Sequence, residues 1–166
     1  GSAAGTESAP ATPATPPASD LFAELPADVL AGIRDLGWTS LMPVQTAVIP
    51  FMLANRDLFV QARTGSGKTG AFGIPIIASI DTELAATQAM VLAPTRELAI
   101  QVAEAFQRYA AHLRGFQVLP IYGGQSYGPQ LGGLRRGAHV VVGTPGRVID
   151  HLERGSLDLS NLRCVV

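Results

Sequence analysis

A glycine-rich run in the first half of the chain constrains the fold more than any other feature. It follows a short apolar segment that ends at Val60, and it opens a helix-length segment. In order, its residues are Ala62, Arg63, Thr64, Gly65, Ser66, Gly67, Lys68, Thr69 and Gly70. Glycines let a backbone curl so that its N–H groups point inward, and the following helix N-terminus adds its positive dipole end. The run therefore predicts a phosphate-binding loop.

Two side chains of this loop suit nucleotide chemistry. Lys68 would reach the β- and γ-phosphates, and the Thr69 hydroxyl would bind Mg²⁺. The alternative is a glycine-rich turn with an accidental Gly-Lys-Thr, and such a match arises by chance in a chain of this length with a probability on the order of one per cent. Lys68 is also the only lysine among the 12 basic residues. The lysine ammonium group is a compact point charge, which fits into a phosphate-binding loop.

Short apolar runs alternate with helix-length segments along the chain. The predicted strands are 57–61, 89–93, 116–121, 140–142 and 162–166; the predicted helices are 26–36, 43–55 (interrupted at Pro50), 67–79, 95–112 and 145–154. Several strands are apolar throughout, which is typical of a parallel sheet covered on both faces. The sequence therefore predicts an α/β fold, an open parallel sheet with helices on both faces.

Composition sets the limits of the domain and of its surroundings. Residues 1–19 are almost all Ala, Pro, Thr, Ser and Gly. This composition predicts a disordered tail that begins with an expression-derived Gly1-Ser2 and precedes a folded domain at 20–166.

The single cysteine suits a reducing cytoplasm. Two uncharged stretches, 36–55 and 115–134, carry Gln and Pro and do not read as membrane spans. A net charge of -1 argues mildly against nucleic acid.

Further short patterns flank the phosphate loop in a fixed order. They are Gly37-Trp38 and Pro43-Val44-Gln45 with the upstream Phe22, then Pro94-Thr95-Arg96-Glu97-Leu98-Ala99, Gly123-Gly124 and Thr144-Pro145-Gly146-Arg147. Together with the loop they resemble the Q motif, motif I, motif Ia, the GG element and motif Ib of DEAD-box RNA helicases, over residues 22–166. Two departures are small: Arg63 stands where Gln is common, and Gly143 where Ala is common.

The resemblance implies the N-terminal RecA-like domain of an ATP-dependent RNA helicase that uses ATP and Mg²⁺. It further implies hydrolysis coupled to local RNA unwinding, and closure against a second RecA-like domain. In that family, 162–166 would lead into the Asp-Glu-Ala-Asp motif, and the chain ends at Val166. We therefore expect a domain truncated before motif II that is inactive in hydrolysis by itself, since an arginine finger alone is worth about 10³–10⁵ in rate.

The resemblance also assigns an adenine site. Gln45 carries a donor and an acceptor, so it can pair with adenine N6 and N7; guanine would mismatch it at a cost of roughly 1–3 kcal/mol. Phe22 is expected to stack on the purine and Trp38 to shape its pocket. The alternatives are a solvated helix residue for Gln45, and core packing for Phe22 and Trp38.

The RNA-binding residues are expected at the ends of predicted strands, where open α/β sheets place ligands. They are Pro94, Thr95, Arg96, Glu97, Gly123, Gly124, Thr144, Pro145, Gly146 and Arg147. None of these groups reads bases, so binding is expected to follow backbone shape and 2′-hydroxyls. The alternatives are an ion pair with Glu97 or Glu104 for Arg96, and a solvated helix surface for Arg147.

The remaining polar residues are interpreted as structural. Arg135 and Arg136 are expected on a solvated face, and Cys164 in the core. His112, His139 and His151 lack metal-ligand spacing. Two competing functions stay open: a P-loop kinase or NTPase that acts on a small molecule without nucleic acid, and a binding module without turnover.

Overall fold

The computed structural model describes residues 18–166, and the predictions for residues 1–17 lie outside that range. The helices are α1 (Ala18–Glu24), α2 (Ala27–Asp35), α3 (Pro43–Leu53), α4 (Lys68–Ala78), α5 (Arg96–Tyr109), α6 (Tyr127–Arg135) and α7 (Pro145–Glu153). The strands are β1 (Ala89–Leu92), β2 (Val118–Ile121), β3 (Val140–Gly143) and β4 (Cys164–Val165). Ala18 and Ser19, assigned to the tail from the sequence, belong to α1.

The four strands form one parallel sheet in the order β2-β3-β1-β4. Apolar side chains cover both faces, because successive residues of a strand point to opposite sides. Val140 and Val142 join a large cluster with Ile33, Ile74 and Phe106, contributed by α2, α4 and α5. The next residue of β3, Val141, packs on the other side with Ile121, Val148 and Leu157. This arrangement confirms the predicted sheet covered on both faces.

The predicted strand at 57–61 is wrong: this segment forms no strand. Its apolar side chains are exposed, and Phe59 is 96% exposed. A strand needs a ladder partner for its N–H and C=O groups. The neighbouring edge strand β4 has two residues and pairs with β1, and a cavity of about 520 Å³ separates it from Leu58 and Val60.

Helix α6 was missed because its sequence is a poor helix former. It contains Gly128, Pro129, Gly132 and Gly133 within nine residues, and glycine costs about 1 kcal/mol relative to alanine in a helix. The helix forms where it packs on β2: a Cβ at Gly133 would lie 2.6 Å from a methyl carbon of Leu119. Close packing on the sheet therefore overrides the local propensity. No helix in the described part of the chain is long and apolar enough to cross a membrane.

Candidate nucleotide and RNA sites

The phosphate loop lies at the N-terminus of α4, as predicted. Gly65 and Gly67 adopt φ values of +79° and +89°, in the left-handed region that favours glycine. Gly67 is the N-cap of α4, and Lys68 and Thr69 form its first turn. Lys68 is exposed. The free N–H groups of this first turn and the helix dipole favour an anion at this position.

Gln45 links helix α3 to the phosphate loop by hydrogen bonds. Its Oε1 accepts a hydrogen bond from the Met42 backbone N–H at 2.9 Å, and its Nε2 donates to the Gly67 carbonyl oxygen at 3.2 Å. The side chain is fully buried, so it is not the solvated residue that the sequence left open. An amide can make about four hydrogen bonds, and these two use one acceptor and one donor position. Pairing of the remaining positions with a base stays a prediction, and it requires the Gln45 side chain, which is 0% exposed, to become accessible.

Trp38 also lies on the start of α4. A Cβ at Gly70 would lie 3.2 Å from the Trp38 ring and 2.6 Å from Gln45 Nε2. The Trp38 ring also packs on the Tyr109 ring, with ring centroids 5.7 Å apart. Gly70 is thus required for close packing under the two Q-motif side chains. The structure brings Trp38, Gln45 and the phosphate loop together.

Phe22 lies deeper than its predicted role suggests. It belongs to the large core cluster and is 7% exposed, and the Arg34 guanidinium lies 5.8 Å from its ring centroid. This placement is the core packing that the sequence left as an alternative. Stacking of Phe22 on a purine stays a prediction, and it requires α1 to move.

One buried side-chain oxygen in the loop lacks a partner. Ser66 Oγ makes no hydrogen bond within the described part of the chain, whereas buried polar groups are normally paired. A hydroxyl in this position can bond a phosphate oxygen. The loop therefore fits a nucleotide by the curl of its backbone, by the Lys68 charge and by an unused polar atom.

The predicted RNA residues follow three neighbouring strands that end at the same level. Leu92 of β1 and Ile121 of β2 are both in register with Gly143 of β3. Parallel strands present their carboxyl ends at one edge of a sheet, so the segments after β1, β2 and β3 lie side by side. We call this row, residues 94–97, 122–125 and 144–147, the strand-end surface.

Glycines keep the strand-end surface open. A Cβ built on Gly123, Gly124 or Gly146 would meet no heavy atom within 4 Å, and Gly124 has a φ of +84°. Thr95 caps α5 by accepting a hydrogen bond from the Leu98 N–H at 3.2 Å. The glycine backbones are therefore accessible to a sugar-phosphate chain.

Arg96 spans the surface from β1 toward β2. It is exposed, and its guanidinium lies 4.9 Å from the centroid of the Tyr122 ring. Among the described residues, the salt bridges do not include the predicted alternative, a pair with Glu97 or Glu104. Stacking on an aromatic face holds a guanidinium while leaving its edge free to donate.

Arg147 is buried rather than solvated. It is 9% exposed, stacks 4.1 Å from the Tyr127 centroid, and donates from Nη2 to the Gln125 carbonyl oxygen at 2.9 Å. Its Nη1 has no hydrogen-bond partner in the described part of the chain. The solvated-surface alternative is therefore wrong. A buried cationic donor without a partner is a feature that an anion would satisfy.

The sequence patterns did not identify the tyrosines that stack on these arginines, which are Tyr122 on Arg96 and Tyr127 on Arg147. Tyr127 also stacks on Arg154 at 3.7 Å and donates its hydroxyl to Asp150. That hydrogen bond is the main cause that lowers the pKa of the Asp150 carboxyl. No local pattern singles these residues out, because Tyr127 lies in the glycine-rich α6 and Asp150 in α7, far apart in the sequence. His139 and His151 are buried, consistent with structural roles, and Arg135 and Arg136 are exposed.

A phosphate loop that opens a helix in a parallel α/β sheet defines the P-loop NTPase class. Residues 42–166 match the family described as DEAD/DEAH box helicase, and the chain belongs to this family. The ATP-dependent RNA helicase DeaD of Mycobacterium tuberculosis is 58% identical over 138 residues, which cover 83% of this chain and 24% of that protein. The DeaD of Escherichia coli K12 is 52% identical over 142 residues, which cover 86% and 23%.

Solved structures agree with the fold. A DEAD box protein from the hyperthermophile Methanococcus jannaschii matches with a TM-score of 0.78 at 41% identity, covering 84% of this chain and 38% of that one. A hypothetical ATP-dependent RNA helicase from Sulfolobus tokodaii matches with a TM-score of 0.74 at 38% identity, covering 83% and 39%. The predicted fold class and family are confirmed. The chain spans about a quarter of the length of the curated relatives it matches.

Proposed function

We propose that this chain is the ATP- and RNA-binding lobe of an ATP-dependent RNA helicase. In that protein, ATP binding and hydrolysis are coupled to the local unwinding of an RNA duplex. A second RecA-like domain closes on the strand-end surface and the phosphate loop, and the cytoplasm is the proposed compartment. The proposal is supported above all by the register of β1, β2 and β3, because it brings the segments that follow these strands side by side along one edge of the sheet.

The nucleotide is proposed to bind with its phosphates on the loop 62–70. Lys68 then neutralises the β- and γ-phosphates, and the Thr69 hydroxyl binds Mg²⁺, whose charge assists phosphoryl transfer. Gln45 reads the adenine with its two unused hydrogen-bonding positions. Trp38 lines the pocket below the base, where it packs on Gly70.

RNA is proposed to bind through its sugar-phosphate backbone. Arg96 and Arg147 supply the positive charge, and the open glycines at 123, 124 and 146 allow close approach. The alternative, a P-loop enzyme acting on a small molecule, explains the phosphate loop alone. It gives no reason for three strand ends that carry stacked arginines and open glycines.

The proposal is tested by the salt dependence of binding to a single-stranded RNA, followed by fluorescence anisotropy. If two or three phosphates are neutralised, the slope of log affinity against log salt is expected to be about -1.5 to -2. Arg96→Ala and Arg147→Ala are each expected to weaken binding and flatten the slope. Arg135→Ala removes the same charge from an exposed position at the end of α6 and is the matched control. Equal effects of all three changes would contradict the proposed surface.

A further inference from the structure

A chain of buried hydrogen bonds runs beneath the strand-end surface. His151, in α7, is fully buried. Its Nε2 lies 2.8 Å from Gln130 Oε1 in α6, and its Nδ1 lies 2.7 Å from Ser156 Oγ. Gln130 is itself 1% exposed. Two polar side chains at such depth, each with its polar atoms satisfied, form a network that gives a unique arrangement of the two helices.

The hydrogen-bond directions in this network are defined by Gln130. Its Nε2 donates to the Tyr122 carbonyl oxygen at 3.0 Å and to Gln125 Oε1 at 2.7 Å. Its Oε1 therefore faces His151 and can only accept, so His151 Nε2 carries the hydrogen. Burial, and then the charge of Arg147, lower the pKa of His151. A neutral imidazole donates to Gln130 through Nε2, and its Nδ1 is an acceptor 2.7 Å from Ser156 Oγ. The single hydroxyl hydrogen of Ser156 is shared between Nδ1 and the His151 carbonyl oxygen, 3.1 Å from Oγ.

The network ends on the glycine turn of the surface. Tyr122 and Gln125 flank Gly123 and Gly124. Gln130 Nε2 donates hydrogen bonds to an oxygen of each flanking residue, the Tyr122 carbonyl oxygen and Gln125 Oε1. Arg147 donates a third hydrogen bond, to the backbone carbonyl oxygen of Gln125. The turn is thus fixed from α6 and from α7 at once. Neither Gln130 nor His151 has exposed surface through which it could touch RNA.

We propose that Gln130 and His151 are positioning residues for RNA binding: they hold the Gly123-Gly124 turn at a fixed distance from Arg147. This inference rests on the proposed function. A turn that is already in its binding conformation loses less entropy when RNA binds. If the network is cut, only a fraction of molecules has the competent turn, and the apparent dissociation constant rises by the inverse of that fraction.

Gln130→Leu removes the network while keeping similar volume, and His151→Leu removes only its link to α7. We expect RNA affinity to fall about tenfold in Gln130→Leu, because a turn that loses two of its three hydrogen bonds would be competent in roughly one molecule in ten. A smaller loss is expected in His151→Leu, which leaves Gln130 Oε1 without its donor but keeps both Gln130 bonds to the turn. Affinity for ADP is expected to stay within about twofold, since the phosphate loop makes no contact with the network. His151→Gln is expected to restore most of the affinity, because its amide can again donate to Gln130.

The matched control is Gln88→Leu. Gln88 is also 1% exposed, and it donates to the Asp81 and Leu84 carbonyl oxygens at the opposite edge of the sheet. We expect this change to lower the melting temperature as much as Gln130→Leu does, with RNA affinity unchanged. Ser156→Ala is a milder change, which removes the hydroxyl that contacts both Nδ1 and the carbonyl oxygen of His151. It is expected to weaken RNA binding about two- to threefold.

The double variant Gln130→Leu/Arg147→Ala isolates the mechanism. If the network acts by setting the turn against Arg147, Gln130→Leu is expected to cost little further RNA affinity once Arg147 is removed. The inference is overturned if Gln88→Leu weakens RNA binding as much as Gln130→Leu, or if His151→Gln binds no better than His151→Leu. If Arg96→Ala and Arg147→Ala alone leave RNA binding unchanged, the proposed function itself fails.

Discussion

Gln45 has one observed structural role and one proposed binding role. It links the N-terminus of α3 to the Gly67 carbonyl oxygen of the phosphate loop, and its remaining donor and acceptor positions are the ones proposed to pair with adenine. Its neighbours explain why the loop needs glycines. A Cβ at Gly67 would lie 2.7 Å from Met42 Sδ and 2.8 Å from Gln45 Nε2. The adenine and phosphate ends of the proposed site are therefore joined by one side chain.

Lys68 is expected to act on phosphates and not on the base. Lys68→Ala removes a charged donor, and hydrogen bonds to charged groups contribute about 1.5–3 kcal/mol. ADP affinity is therefore expected to fall roughly tenfold to hundredfold, AMP affinity by less, and adenosine affinity not at all. Calorimetric titration of the three ligands measures the series. A loss of equal size for adenosine would place Lys68 outside the phosphate site.

At the scale of the elements, close packing decides which sequence patterns become structure. Helices α2 and α5 approach so closely at Gly32 that a Cβ there would lie 2.4 Å from the Tyr109 carbonyl oxygen. Helix α6 forms despite its glycines because Gly133 packs on Leu119. The segment 57–61 has the apolar composition of a strand, yet no ladder partner in the described chain.

The contact at Gly32 gives a stability prediction. Gly32→Ala is expected to destabilise the fold by about 1–3 kcal/mol, because the added methyl group meets backbone that moves only with the helix. Gly128→Ala, in α6, is the matched control. A Cβ there meets nothing within 4 Å, so the change is expected to be neutral or to stabilise by up to about 1 kcal/mol. Urea denaturation measures both. Equal effects would show that α2 and α5 are not in this contact in solution.

The sequence predicted those features that depend on local pattern or on ordered motifs. The phosphate loop, the parallel sheet and the positions of Gly123 and Gly146 at strand ends follow from spacing and strand order. What could not be predicted depends on contacts between distant segments. The burial of Arg147 against Tyr127, and the hydrogen bond from His151 to Gln130, join α6 and α7 across the fold. No local periodicity encodes such a pair.

For the whole molecule, two buried histidines connect stability to pH. Burial lowers the pKa of both His139 and His151 below the ordinary value of 6.5. As the pH falls below about 6.5, the unfolded chain takes up protons that the folded chain excludes, so the free energy of unfolding decreases. The carboxyl of Asp150, whose pKa is lowered first by the Tyr127 hydrogen bond, adds to this loss only at more acidic pH.

Denaturation between pH 7.5 and about 5 measures this dependence. The free energy of unfolding is expected to rise with pH across this range, with a slope below about 2.7 kcal/mol per pH unit, the value for two protons. His151→Gln is expected to reduce the slope without abolishing it, since His139 remains. A free energy of unfolding that stays flat or rises on acidification through this range would contradict the burial of both rings.

The proposed site reads adenine and binds phosphate together, and a calorimetric comparison of ADP with GDP measures whether it does so. ADP is expected to bind about tenfold to hundredfold more tightly, because guanine mismatches the buried Gln45 amide at roughly 1–3 kcal/mol. Gln45→Ala is expected to remove most of this preference, whereas Lys68→Ala weakens both ligands and keeps their ratio. Equal affinities for ADP and GDP in the unchanged chain would show that Gln45 does not read adenine, and would favour a P-loop NTPase without an adenine-reading site.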